Sequence, residues 1–89
     1  MDLSDQIYAL STLGYDSQKT RKNSHKWKEI NIKIIDSIES LVKRAQGLAD
    51  EDILNIHRAV IFLPPDRLTK AAVQARSKAF ERLAKLRAK

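Results

Sequence analysis

Apolar positions recur along this chain at helical spacing, and no stretch of any length alternates as a strand would. Leu3, Ile7 and Leu10 fall at i, i+4 and i+7, one face of a helix, which predicts a first helix over residues 2–13. Gly14 follows and is suited to the left-handed conformation that closes a helix, with Tyr15 folding back on Leu10. A longer pattern, Trp27, Ile30, Ile34, Ile35, Ile38, Leu41, Val42 and Ala45, lies within a stripe about 120° wide and predicts a second helix over 24–46. Ser24 or Asn23 would cap its start. Glu29 with Lys33 and Glu39 with Lys43 add i,i+4 pairs, and Ile32 points off the stripe. Gly47 followed by Leu48 repeats the Gly14–Tyr15 stop signal.

The third helix is predicted over 50–63. Asp50 would cap it, and Glu51 and Asp52 place negative charge in the first turn, where the helix dipole favours it. Ile53, Leu54, Ile56, Val60, Ile61 and Leu63 cover more than half of its circumference, the pattern of a helix central to a core. Pro64 ends it, because the residue before a proline disfavours the helical region. Pro65 suits the first turn of a fourth helix over 65–87, with Leu68, Ala72, Ala75, Ala79, Leu83 and Leu86 on one face. Val73, Phe80 and Ala84 form a second ridge roughly 120–160° away. The expected fold class is all-α, a small bundle of about four helices, in a single helical domain over 1–89 with a basic connecting loop at 16–23.

Composition narrows the function classes. With 89 residues and no cysteine, disulfides and thiolate metal sites are excluded. The longest apolar run, Ala59 to Leu63, is far short of the ~20 residues of a membrane helix. The start Met1-Asp2-Leu3-Ser4-Asp5 is acidic and lacks a signal-peptide pattern, so a cytoplasmic location is expected. The net charge of +6 is unevenly spread. Residues 1–63 hold nine Lys/Arg against nine Asp/Glu, whereas residues 64–89 hold eight against two. Such asymmetry points to an acidic partner.

Catalysis has little to rest on, and an enzyme is not expected. His57 falls on the apolar side of the third helix, as a core or boundary residue would. His25 stands among lysines at the start of the second. Asp50, Glu51 and Asp52 are explained by helix capping and lack the alternating spacing of a calcium loop. No Gly-rich phosphate loop or zinc-helix motif occurs, and no cofactor, metal or small-molecule substrate is expected. Trp27, Tyr8 and Tyr15 are expected to pack rather than to stack on bases.

The basic residues are the informative constellation. Arg67, Lys70, Lys78, Arg82 and Lys85 fall in a sector about 120° wide on the fourth helix, extended by Arg76, Arg87 and Lys89. Lys19, Arg21, Lys22, Lys26 and Lys28 cluster in and beside the loop. Both sets are expected to contact phosphates of a nucleic acid, DNA or RNA, each neutralised phosphate releasing counterions. The Pro64–Pro65 junction before a basic helix lacks the glycine turn of a helix-turn-helix. The competing expectation is a small interaction module, an adaptor, inhibitor or assembly subunit. It would dock Val73, Phe80 and Ala84 with a basic rim on an acidic protein, or on a second copy as a homo-oligomer. A basic amphipathic helix on an anionic membrane is a weaker third, because its outer ridge carries one large aromatic.

Overall fold

The computed structural model describes residues 2–87 and contains four α-helices among them: α1 Leu3–Lys19, α2 His25–Ala45, α3 Asp50–Ile61 and α4 Lys70–Arg87. A short 3-10 turn, Pro65–Arg67, precedes α4. The all-α bundle expected from the pattern is therefore the fold. No helix among the described residues is long and apolar enough to cross a membrane.

Helix directions follow from who meets whom. Asn31 bonds Ser17 near one end of the α1–α2 pair and Arg44 bonds Gln6 near the other, so these helices are antiparallel. Thr69 meets Asn31, and Leu86 lies beside Ala45 and Gln46, so α4 runs parallel to α2. Ile53 lies beside Leu86, and the Arg76 guanidinium reaches the Leu63 carbonyl, so α3 is antiparallel to α4. α2 is flanked by α1 and α4, and α3 closes the bundle against α4 and α1. Two opposite faces result: one shared by α2 and α4, the other by α1 and α3.

The core takes the α2 stripe almost as read: Trp27, Ile30, Ile34, Ile38, Leu41, Val42 and Ala45 are buried and Ile35 is half-buried. They meet Leu10, Ile53, Ile56, Val60, Leu63, Leu68, Ala72, Ala79 and Leu83 from the other elements. Each large aliphatic side chain removed from water here contributes roughly 1.5–3 kcal/mol. Ser24 caps α2, its Oγ accepting from the Trp27 amide at 3.1 Å, and Gly47 ends the segment with φ +91°. α3 stops before Pro64, as expected, although Ala49 and not Asp50 is its capping residue. Glu29 accepts an exposed contact from His25 at 3.0 Å.

Three expectations are corrected. Gly14 does not end the first helix. It is a buried mid-helix residue, and a Cβ placed on it would meet Leu63 Cδ2 at 2.7 Å. The glycine serves close helix packing, so α1 continues for five residues more and residues 16–19 are its last turn, not loop. Tyr15 consequently faces solvent instead of folding back on Leu10, and Tyr8, one seam with it on α1, is exposed as well. The fourth helix does not begin at Pro65: Leu68 is extended at φ −114° and ψ 156° and separates the 3-10 turn from α4. The Thr69 hydroxyl then accepts from the Ala72 amide at 3.2 Å and starts α4 anew. Finally, Ile61 lies exposed outside the α3 core face.

The Gly14–Leu63 approach yields a stability expectation. Gly14→Val should cost about 2 kcal/mol, as overpacking of a closed contact does. A urea midpoint for Gly14→Val equal to that of the wild type would show that α1 and Leu63 do not meet this closely.

Candidate nucleic-acid interface

The site begins with a polar knot at the end of the bundle where α1 finishes, α2 starts and the chain enters α4. The Arg67 carbonyl accepts from the Ser17 hydroxyl at 2.7 Å and from Trp27 Nε1 at 2.9 Å. Asn31 Nδ2 donates to Ser17 Oγ at 3.2 Å and to the Trp27 carbonyl at 2.9 Å, while its Oδ1 accepts from the Thr69 amide at 3.1 Å. Ser17 and Asn31 are fully buried, and no buried side-chain polar atom among the described residues lacks a partner. Satisfied in this way, buried polar groups fix a geometry that apolar contacts alone would leave free to slide. Trp27 is thus a core anchor, as expected, with its one donor committed to Arg67.

Two of the expected phosphate ligands have contacts within the molecule, and one of the two, Arg67, is committed by them. Arg67 sits on the 3-10 turn, not on the fourth helix, and its guanidinium Nη2 donates to the carbonyls of Gln18 and Thr20, each at 3.1 Å. It satisfies the carboxyl end of α1, where orphan carbonyls and the helix dipole both attract a cation. The Lys19 ammonium lies 4.4 Å from the centre of the Tyr15 ring, on the exposed side of α1. Arg76 is likewise structural: its Nε and Nη2 donate to the Leu63 and Ile61 carbonyls at 3.1 and 3.2 Å, closing the end of α3.

The other expected phosphate ligands among the described residues are exposed and uncommitted. Lys70, Lys78, Arg82 and Lys85 stand on the outer side of α4 without an ion pair or hydrogen bond among the described residues. Arg21, Lys22, Lys26 and Lys28 are exposed around the start of α2. Arg67 joins the two sets, because its backbone leads into α4 while its side chain holds the loop at Thr20. Lys70 to Lys85 spans about 22 Å at 1.5 Å per residue, the axial length of about six phosphate intervals on one strand of a duplex. Lys89 lies outside the described residues.

Between α2 and α4 runs a shallow groove of about 450 Å³. Ile38, Val42, Ala75 and Ala79 line it, with Lys43, Lys78, Arg82 and Glu39. The small alanines on α4 make it, as their spacing suggests. The other expected ridge is less open. Val73 and Phe80 are half-buried and packed on the core, and only Ala84 is exposed. Phe80 meets the His57 ring edge-on at 5.3 Å and lies under the Arg76 guanidinium at 4.7 Å. His57 therefore packs where α3 faces α4, and His25 stands at the far end of α2. Asp50, Glu51 and Asp52 occupy the first turn of α3, and no three His, Asp or Glu side chains converge among the described residues.

Hydrophobic periodicity does not reveal the knot. Asn31 lies at helical spacing between Trp27 and Ile34 on the apolar stripe, and that placement is the one signal that marks it as a buried polar residue. Ser17 continues the Leu3, Ile7, Leu10, Gly14 series at the same spacing, but small residues do not register as a hydrophobic face. No protein-family model, characterised protein or solved structure matches the chain.

The different standing of Arg67 and Lys78, two cations of one expected set, is measurable. Arg67→Gln should lower unfolding stability by about 1–2 kcal/mol through the orphaned α1 carbonyls, and Lys78→Gln should stay within about 0.5 kcal/mol of wild type. Equal effects of the two substitutions in urea denaturation would contradict this assignment.

Proposed function

We propose that this protein is a non-catalytic nucleic-acid-binding or nucleic-acid-associated regulator that tracks phosphates with α4 and the start of α2. The observation that carries the reading is the run Lys70, Lys78, Arg82 and Lys85, exposed on one side of α4 and free of any internal partner among the described residues. Arg21, Lys22, Lys26 and Lys28 extend it at the end where Arg67 fastens the loop to the entry of α4. Cations held on rigid helices and not neutralised by neighbours are what counterion release from a phosphate backbone requires. Phosphate contacts alone position a protein without reading bases, and the aromatic side chains Tyr8, Tyr15 and Phe62 stand on the other side of the bundle. The binding proposed is therefore indifferent to sequence.

A second reading rests on the α2–α4 groove. Its apolar floor and three cations suit an acidic amphipathic helix of a protein partner, with Ile38, Val42 and Ala79 beneath and Lys43, Lys78 and Arg82 at the rim. Here the partner meets apolar surface as well as charge, so binding would decline less steeply with salt than phosphate binding does.

Titration of a labelled DNA duplex and a labelled RNA against the protein at increasing salt tests the first reading. Affinity should fall log-linearly with salt, and replacing Lys70, Lys78, Arg82 and Lys85 by Gln should reduce the slope by about one for each phosphate that is no longer neutralised. Absence of binding to both nucleic acids at low salt would overturn the reading, and an unchanged slope in the variant would remove α4 from it.

A further inference from the structure

We infer that the α1–α3 face is the contact between two copies of this chain, joined about a two-fold axis that runs across α1. This inference stands whether or not α4 binds phosphate, because it concerns the opposite side of the bundle. Three large aromatic side chains are exposed there: Tyr8 at 74%, Tyr15 at 56% and Phe62 at 78%. Phe62 faces both of them across the α1–α3 groove, beside Ser11 and Ala59. Three exposed rings on one side of a small domain form the kind of patch that monomeric proteins seldom leave to water.

The pattern of charge along α1 identifies the occupant. Asp5, Tyr8, Thr12, Tyr15 and Lys19 fall at i, i+3, i+7, i+10 and i+14, a single exposed seam with heptad spacing. The seam is acidic at its start, aromatic on both sides of its middle and basic at its end. Reversed, it is complementary to itself. A second α1 laid antiparallel over the first, with the axis near Thr12, sets Asp5 of each copy against Lys19 of the other. The same rotation sets Tyr8 against Tyr15 and the small Thr12 against its own counterpart. Phe62, level with Ser11 across the groove, lies close to the axis as well. Such an isologous arrangement, in which residue i meets j and j meets i, is the ordinary form of a two-fold interface. Because α1 and α3 run the same way, the acidic first turn of α3 adds Asp50 and Glu51 at the Asp5 end. A parallel pairing would place acid on acid and base on base.

The size of the face sets the strength. α1 is 17 residues, about 25 Å, and two adjacent helices are about 20 Å across, giving a footprint on the order of 500 Å² per copy. That is below the ~800 Å² per partner of a standard stable interface, so the dimer is a weak one, forming in the micromolar to millimolar range. In it, the basic α2–α4 faces point outward on opposite sides.

Sedimentation equilibrium of the full chain from about 10 μM to about 1 mM tests this. The wild type should show a reversible monomer–dimer equilibrium. Asp5→Lys and Lys19→Asp should each weaken it at least tenfold while leaving the helical circular dichroism unchanged. An equimolar mixture of the two variants should recover dimer, since each supplies the charge the other lacks, and the Asp5→Lys, Lys19→Asp double variant should recover it alone. Phe62→Ser, which removes a ring that contributes nothing to the core, should also abolish association. A wild type that is monomeric throughout would overturn the inference. So would single variants that dimerise as the wild type does, or a mixture that stays monomeric.

Discussion

The main-chain carbonyl of Arg67 accepts a hydroxyl from α1 and an indole N–H from α2, and the arrangement of the bundle depends on that junction. Apolar contacts decide that four helices collapse together but hold their sliding and rotation loosely, since any close-packed apolar surface is roughly as good as its neighbour. Hydrogen bonds in a buried site do not share that tolerance, because a donor left without its acceptor costs about 1–3 kcal/mol. Ser17, Trp27, Asn31, Arg67 and Thr69 come from three segments distant in sequence and satisfy one another completely. Their mutual geometry sets where α1 stops, where α4 begins, and how the loop between α1 and α2 lies over the start of α4.

From this junction the electrostatic layout follows. The Arg67 side chain holds the end of α1, the Arg76 side chain holds the end of α3, and Lys19 rests on Tyr15. The two arginines are committed to helix ends, whereas Lys19 stays exposed over the Tyr15 ring. What is left on the α2–α4 side is a set of uncommitted lysines and arginines. What is left on the α1–α3 side is aromatic, on two helices that carry five acidic against two basic side chains. The molecule is two-sided for a physical reason: α2 and α4 are parallel neighbours, α1 and α3 are parallel neighbours, and each pair presents its own outer residues.

A long apolar stripe made the fold class and the course of α2 legible, because eight apolar positions at helical spacing leave one interpretation and Ser24 and Gly47 mark its ends. Sequence pattern and structure diverge where one residue type has two uses. Glycine closes helices and also lets them approach, and at Gly14 only the position of Leu63, distant in sequence, decides between the two. Proline opens helices, yet at Pro65 the tertiary bond from the Thr69 amide to Asn31 moves the start of α4 to Lys70. The candidate site was legible in composition and not in role. Arg67 and Lys78 carry the same charge in the same sector, and only the carbonyls of Gln18 and Thr20 separate them.

The role given to the knot is open to a direct measurement, native-state hydrogen exchange of the Thr69 amide in the wild type and in Asn31→Ala. In the wild type this amide should be protected nearly as well as the amides of Ile38 and Leu41 in the centre of α2. In the variant it should exchange faster by tenfold or more while the centre of α2 keeps its protection, because the entry to α4 has come loose from a bundle that is otherwise intact. Exchange at Thr69 as fast in the wild type as at the exposed loop residues Arg21 and Lys22 would contradict this role, since the bond to Asn31 would then not be holding the entry to α4 in place.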